Sequence, residues 1–417
     1  MNAVARFMFT NRTWGQTIAR NVAWVSIGEG MARVLKFGAV LVLVRAVGPQ
    51  AYGQFAVAFS LAAMLGVVFD AGISTVVTRD LARNPANQSV LRDALGLRLV
   101  LTMIGMTVAA VGALIAADGK VMRVLIVALG TYVLVGELSN LLFASFRARQ
   151  RTEFEAAARL SQGILLAIGV VLIVFMGASI AKAGVVYACS AGVSVLALMI
   201  LMRVWPTLHP RTWLPMLRSG IPLALAGAAT TLYVNMDVVM LGWYGLVADG
   251  GWYGAASRLA TGVMVLPVTV LSLVLMPALS RLHGDDLRRR VWQWAWLGAL
   301  AGLGVAVLVV VLAEPAVLLA FGPEYAPTAG ALRVLGVATG IMYAYFPWLS
   351  VLVATGHQWR LFAVLGSAAG MNLLLNAVLI PPFGMYGAAW ATVATHAVIF
   401  GALVMAGRWQ LSSSRSR

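Results

Sequence analysis

The chain has 417 residues, 61% of them hydrophobic and only 11% charged, with a net charge of +16. A soluble protein carries about a quarter charged residues, so this composition excludes an ordinary soluble enzyme. The single Cys189 lies in an apolar run, which rules out an intrachain disulfide and a cysteine metal site.

In chain order, the N-terminal MNAVARFMFTNRTWGQTIAR lacks an apolar core followed by a cleavage site, so no cleaved signal peptide is expected. Runs of about 20 apolar residues then recur, each long enough for a hydrocarbon core of about 30 Å. They predict an all-α integral membrane protein with twelve spans: 21–44, 54–77, 97–117, 123–146, 157–176, 183–202, 219–243, 251–277, 292–313, 329–355, 361–380 and 385–406. No loop is long enough for a soluble domain. The basic, Pro-punctuated stretch 203–218 (RVWPTLHPRTWLPMLR) reads as a cytoplasmic linker between a six-helix bundle over 1–202 and another over 219–417.

This topology accounts for the charge. Of 30 Lys and Arg, 22 fall on the side holding the N-terminus, 5 on the other and 3 deep within spans. Such a split is what the positive-inside rule expects with both termini in the cytoplasm. Nucleic acid is therefore not an expected partner.

The halves echo each other. AYGQ at 51–54 and WYGA at 252–255 lie 201 residues apart, and Gly184 and Gly387 lie 203 apart. Six spans per half is an even number, so the repeats are parallel, and substrate sites in such architectures lie between halves.

Charges inside spans mark candidate sites, since each costs roughly 2.5–3.5 kcal/mol at mid-bilayer on insertion scales. Span one contains IGEGMARVLKFG at 27–38, with Glu29, Arg33 and Lys36 within an arc of roughly 60°. Glu29 and Arg33, at i and i+4, suit a bond along the helix. Lys36 is left over; it either snorkels to the far interface or belongs to an aqueous, anion-binding face. Asp70 on span two and Glu137 on span four lie level with Glu29. Either is a protonatable coupling group or a partner for Arg33. Asp237 and Arg258, on spans seven and eight, lie at similar depth and suit an ion pair or a cavity site. His396 on span twelve reads as packing, and Pro267 with Pro277 as a bend in span eight.

Four blocks resemble the Wzx-type polysaccharide flippases of the multidrug, oligosaccharidyl-lipid and polysaccharide exporter (MOP) superfamily: VRAVGPQAYGQFAVAFSLAAMLGVVFDAGISTVVTRDLAR at 44–83, SGIPLALAGAATTLYVNMDVVMLGWYG at 219–245 with GWYGAASRLA at 251–260, LLAFGPEYAPTAGALRVLG at 318–336, and IPPFGMYGAAWATVATH at 380–396. The resemblance implies two six-helix bundles around a central cavity that opens alternately to each side of a bacterial inner membrane. It implies a substrate built of an oligosaccharide on polyprenyl pyrophosphate, with membrane lipids, a polysaccharide polymerase and glycosyltransferases as partners. The position of Arg258 faces the cavity in that family. Many members carry further C-terminal helices, and a lipid-tail groove built by such helices is not expected here. On this reading Arg33, Lys36 and Arg258 bind the pyrophosphate, and Tyr233, Asn235 and Tyr343 hold sugars. No cofactor is expected beyond a coupling ion, H⁺ or Na⁺. A cation-coupled multidrug exporter of the same fold is the alternative. A membrane glycan polymerase or ligase is a third, against which stands the absence of a sizeable extracytoplasmic loop. No Walker A, paired-His or nucleophile-elbow pattern is present, so no enzyme is expected.

Overall fold

A computed structural model describes residues 14–84, 87–177, 179–279, 282, 284–354 and 358–413, and among them there is no β-strand. Eleven α-helices follow one another: α1 Trp14–Asp70, α2 Ile73–Arg83, α3 Gln88–Ala116, α4 Gly119–Ala148, α5 Thr152–Phe175, α6 Ile180–Met202, α7 Pro210–Trp243, α8 Val247–Leu279, α9 Gly284–Phe321, α10 Thr328–Ala354 and α11 Gln358–Ser413, with a 3-10 turn at Pro323–Tyr325. Eight of these are long and apolar enough to cross a membrane by length and composition.

Two of the eight contain paired spans. The apolar part of α1 covers 48 residues and that of α11 covers 50, about 70 Å at 1.5 Å per residue and more than twice a hydrocarbon core. Each is broken by one non-helical glycine, Gly48 (φ 72°) and Gly384 (φ 55°). With α7 and α8, 34 and 33 residues long, the chain has its twelve spans. Lipid allows little else, because a helix satisfies its backbone polar groups internally. The apolar face of α9 shows this environment: Leu297, Leu300, Leu303, Val307 and Val311 are all exposed.

The repeat is written in the backbone. The odd-to-even turns carry left-handed glycines at Gly48, Gly119 and Gly177 in the first six spans, and at Gly245, Gly322 and Gly384 in the second six. The paired offsets are 197, 203 and 207 residues.

Span two departs from its predicted course over 54–77. The helix stops at Asp70, Ala71 and Gly72 turn left-handed (φ 49° and 69°), and α2 begins at Ile73. The short α2 is amphipathic and buries Ile73, Val76, Val77 and Leu81. Of the 203–218 stretch, 204–209 is non-helical and α7 begins at Pro210. Pro267 and Pro277 lie where side chains are outside the described set.

The chain divides into two compact units. One takes in the chain up to Val47 together with Leu61–Ala228; the other comprises Gly48–Ser60 and everything from Ala229 onward. Unit 1 has a core of Leu91 and Leu95 from α3, Leu138, Leu141 and Leu142 from α4, and Leu198 from α6, closed by α2. The core of unit 2 gathers Leu287 and Val291 of α9, Trp348 and Val351 of α10, and Ile399 and Leu403 of α11. Within unit 2 the two echoing motifs meet. A methyl at Gly53 would overlap the Val247 carbonyl oxygen, and one at Gly251 would overlap the Pro49 carbonyl oxygen. The contact is reciprocal at a constant offset of 198 residues.

Candidate functional site

In α1, Arg33 Nη2 lies 2.6 Å from Glu29 Oε1, so the bond along the helix forms, between side chains 56% and 33% exposed. Lys36, one turn on, forms no ion pair with any described residue. It lines a polar cavity of about 230 Å³ inside unit 1, walled by α4, α5 and α6. Arg159 faces the same cavity. Its Nε and Nη2 donate to Glu155 Oε1 at 3.0 and 2.9 Å. Fully buried Glu155 is also gripped by Arg147, at 2.9 Å to Oε2 and 3.0 Å to Oε1. Glu155 thus sits between two guanidiniums, and Glu29 and Glu137 also lie within electrostatic reach of Arg159. The Arg159 guanidinium also lies over the Phe143 ring at 4.7 Å.

Asp70 and Glu137 do not pair with Arg33. Both turn to Arg98, whose side chain is 2% exposed. Arg98 Nη1 donates to the Phe69 carbonyl at 2.9 Å and to Asp70 Oδ1 at 3.0 Å. Its Nη2 is 3.3 Å from Glu137 Oε2. Asn140 Nδ2 donates to the same Glu137 oxygen at 3.1 Å. Arg98 therefore caps the Phe69 carbonyl of α1 at the Ala71–Gly72 break and ties three helices together. Arg98 heads a span, and helix packing closes over it.

In unit 2, Asp237 and Arg258 are not paired. Arg258 lies over the Phe59 ring at 4.9 Å. Asp237, 2% exposed, accepts from Asn376 Nδ2 at 2.6 Å, from Thr392 Oγ1 at 2.9 Å and from the Tyr253 hydroxyl. Asn376 Nδ2 is also 3.0 Å from Asn372 Oδ1, and Asn372 Nδ2 donates to Thr395 Oγ1 at 3.1 Å. The Asn376 Oδ1 is buried without a hydrogen-bond partner. A buried carboxylate with an orphaned carbonyl oxygen and a hydroxyl beside it is a donor set for a hard cation. The same carboxylate is also a place for a proton. No group of three or more His, Cys, Asp or Glu that could hold a metal ion occurs among the described residues.

The residues expected at sugars are dispersed by role. The hydroxyl of buried Tyr343 donates to the Val263 carbonyl at 3.2 Å. Asn235 Nδ2 donates back to the Thr231 carbonyl at 2.9 Å, leaving its oxygen available. Tyr233 meets His396 edge-on at 6.2 Å, and His396 Nδ1 is 3.0 Å from the Tyr345 hydroxyl, a packed arrangement. Sequence reading missed Arg98, Arg159, Tyr253, Asn372, Asn376 and Thr392. A signal existed for two of them: Asn372 and Asn376 are polar at i and i+4 in the otherwise apolar MNLLLN.

A twelve-span helical protein with carboxylates and cations set inside its spans has the build of a multi-pass membrane transporter. The polysaccharide biosynthesis protein family matches residues 18–283, more than half of the chain, and the chain belongs to that family. It is 23% identical over 360 residues to the succinoglycan biosynthesis transport protein ExoT of Rhizobium meliloti (strain 1021), covering 83% of this chain and 71% of that one. The fold is similar to that of the lipid II flippase MurJ in an inward closed conformation, with a TM-score of 0.73, 12% identity and coverage of 91% of this chain and 86% of that one. An inward-facing multidrug resistance MATE family transporter of the MOP superfamily matches equally well, with a TM-score of 0.73, 17% identity and coverage of 92% and 96%. The MOP fold read from the four sequence blocks is borne out.

Proposed function

We propose that the protein is a flippase, moving polyprenyl-pyrophosphate-linked oligosaccharides across a membrane by alternating access for polysaccharide assembly. The observation that carries this reading is positive charge left uncompensated inside the spans of a polysaccharide biosynthesis family member. Lys36 and Arg258 form no ion pair with any described residue, and Arg258 rests on a ring. A pyrophosphate supplies the negative charge at Arg258, and an anionic group elsewhere on the cargo supplies it at Lys36 and Arg159. Arg offers it a planar fork and Lys a mobile point charge. Tyr233 and Asn235, in the same unit as Arg258, meet the sugars. A pump for cationic drugs would place acids where these cations lie.

The Asp237 cluster is the natural seat of a coupling ion, Na⁺ or H⁺, bound and released with each cycle. Energy then comes from an ion gradient and not from chemistry on this chain, so the protein is a carrier and not an enzyme. Glycosyltransferases supply its cargo and a polymerase consumes it. The 22-to-5 charge split favours a bacterial inner membrane with both termini cytoplasmic.

The test is reconstitution of the full chain in proteoliposomes with a fluorescent polyprenyl-pyrophosphate oligosaccharide. Transbilayer movement that requires a Na⁺ or H⁺ gradient and disappears in Arg258→Ala is the expected result. Movement of cationic dyes, with none of the lipid-linked glycan, would replace the flippase reading with the multidrug one.

A further inference from the structure

The cavity inside unit 1 is equipped for more than a point charge. Its volume of about 230 Å³ is room for roughly 15 water-sized groups, the space of one sugar residue. Two cations face it, Lys36 and Arg159, and the carboxylate nearest Arg159 is already shared with Arg147. Glu137, the acid on its wall, is engaged by Arg98 and Asn140. Around them stand neutral groups. Ser190 and Ser194 spend their hydroxyl protons on their own helix, at 2.7 Å to the Tyr187 and Ser190 carbonyls, so their lone pairs face the cavity as acceptors. Gln162 spends an amide proton on Ser139 at 2.9 Å, leaving its oxygen to accept. Tyr132, held edge-on by Tyr187 at 5.0 Å, adds an aromatic wall.

Each feature narrows the ligand. A site for an inorganic anion has no use for hydroxyl acceptors and an aromatic face, which suit hydroxyl donors and the apolar side of a sugar ring. A neutral sugar has no use for a half-buried lysine that forms no ion pair with any described residue. We propose that this cavity is a specificity site for an acidic sugar residue of the cargo. Lys36 and Arg159 receive its carboxylate, Gln162, Ser190 and Ser194 accept from its hydroxyls, and Tyr132 lies against the ring. That the sugar arrives on a lipid carrier rests on the flippase reading; that the cavity takes an acidic sugar does not.

Titration of the full-length protein in nanodiscs with D-glucuronate, D-glucose and acetate tests the site directly. Glucuronate is expected to bind at least about tenfold more tightly than glucose or acetate, the worth of one charge-assisted contact. Lys36→Gln should cost glucuronate about tenfold with an unchanged melting temperature, and Lys36→Arg should retain most of the affinity. Glucose binding as tightly as glucuronate overturns the proposal. So does acetate doing so, which would mark a site for free carboxylates, and so does unaltered glucuronate affinity in Lys36→Gln. In proteoliposomes, Lys36→Gln should lower the ratio of acidic to neutral lipid-linked glycan transported by about tenfold. An unchanged ratio with active transport removes the inference and leaves the flippase intact. Wild-type protein that binds glucuronate yet moves no lipid-linked glycan removes the flippase reading and leaves the acidic-sugar site.

Discussion

Replacing Arg98 by Met should unlock the break in span two. The side chain is 2% exposed, and the two carboxylates it serves, Asp70 and Glu137, are each 26% exposed. The substitution removes bonds at 2.9 and 3.0 Å and an ion pair at 3.3 Å. It leaves two acids facing each other with no shared cation, and an uncapped carbonyl at Phe69. Removing one partner of a buried ion pair costs about 3–5 kcal/mol. For a unit of this size a kcal/mol is about 2–4 °C, so the melting temperature should fall by roughly 6–20 °C. Thermal unfolding of purified protein in detergent, followed by size-exclusion fluorescence, measures it. The triple variant Arg98→Met, Asp70→Asn, Glu137→Gln should recover most of the loss, because neutral amides bond to each other without a cation. A single variant melting within about 2 °C of wild type, or a triple variant no better than the single, would refute the role given to this network.

Arg258→Ala should fold with a melting temperature close to wild type, since a cation–π contact is worth only about 0.5–2 kcal/mol, while glycan transport is lost and Arg258→Lys recovers part of it. Asp237→Asn should abolish the dependence of transport on the Na⁺ or H⁺ gradient, read from initial rates at varied gradient; an unchanged dependence moves the coupling site elsewhere. Gly53→Ala should destabilise the protein by about 1–3 kcal/mol through overlap with the Val247 carbonyl, whereas Gly30→Ala, with open space around its Cβ, should be neutral in the same unfolding assay. Asp93 is pushed up by burial, but hydrogen bonds from Thr207 at 2.7 Å and His209 at 2.8 Å, with the histidine's charge, hold it below the ordinary carboxylate range. Its contribution to stability is therefore complete above the ordinary Asp value and fades as pH falls through the lower folded one. Asp93→Asn should speed trypsin cleavage near Arg203 and Arg211 at neutral pH, and differ from wild type less in urea unfolding as pH drops towards 3 (roughly the Asp range).

The spans were legible in the sequence because a membrane asks one thing of a segment, that it be apolar for about 20 residues and satisfy its own backbone. Twelve such segments, their even division and the left-over basic charge at their ends need no knowledge of neighbours. The Glu29–Arg33 bond was legible for the same reason, being local to one helix turn. Everything that depended on two helices meeting was not. Depth along a span placed Asp237 level with Arg258 and Asp70 level with Arg33, but the azimuth of a side chain decides its partner, and azimuth is set by packing. Glycine contacts fix how closely α1 and α8 approach at Gly53 and Gly251, and an interlocked core packs α3 and α6 against α4. Packing thus gave Asp70 and Glu137 to Arg98, surrounded Asp237 with Asn376, Tyr253 and Thr392, and left Lys36 facing a cavity. The sequence determined which residues must hide charge from lipid; only the tertiary structure decided which other charge, or which ligand, each of them hides against.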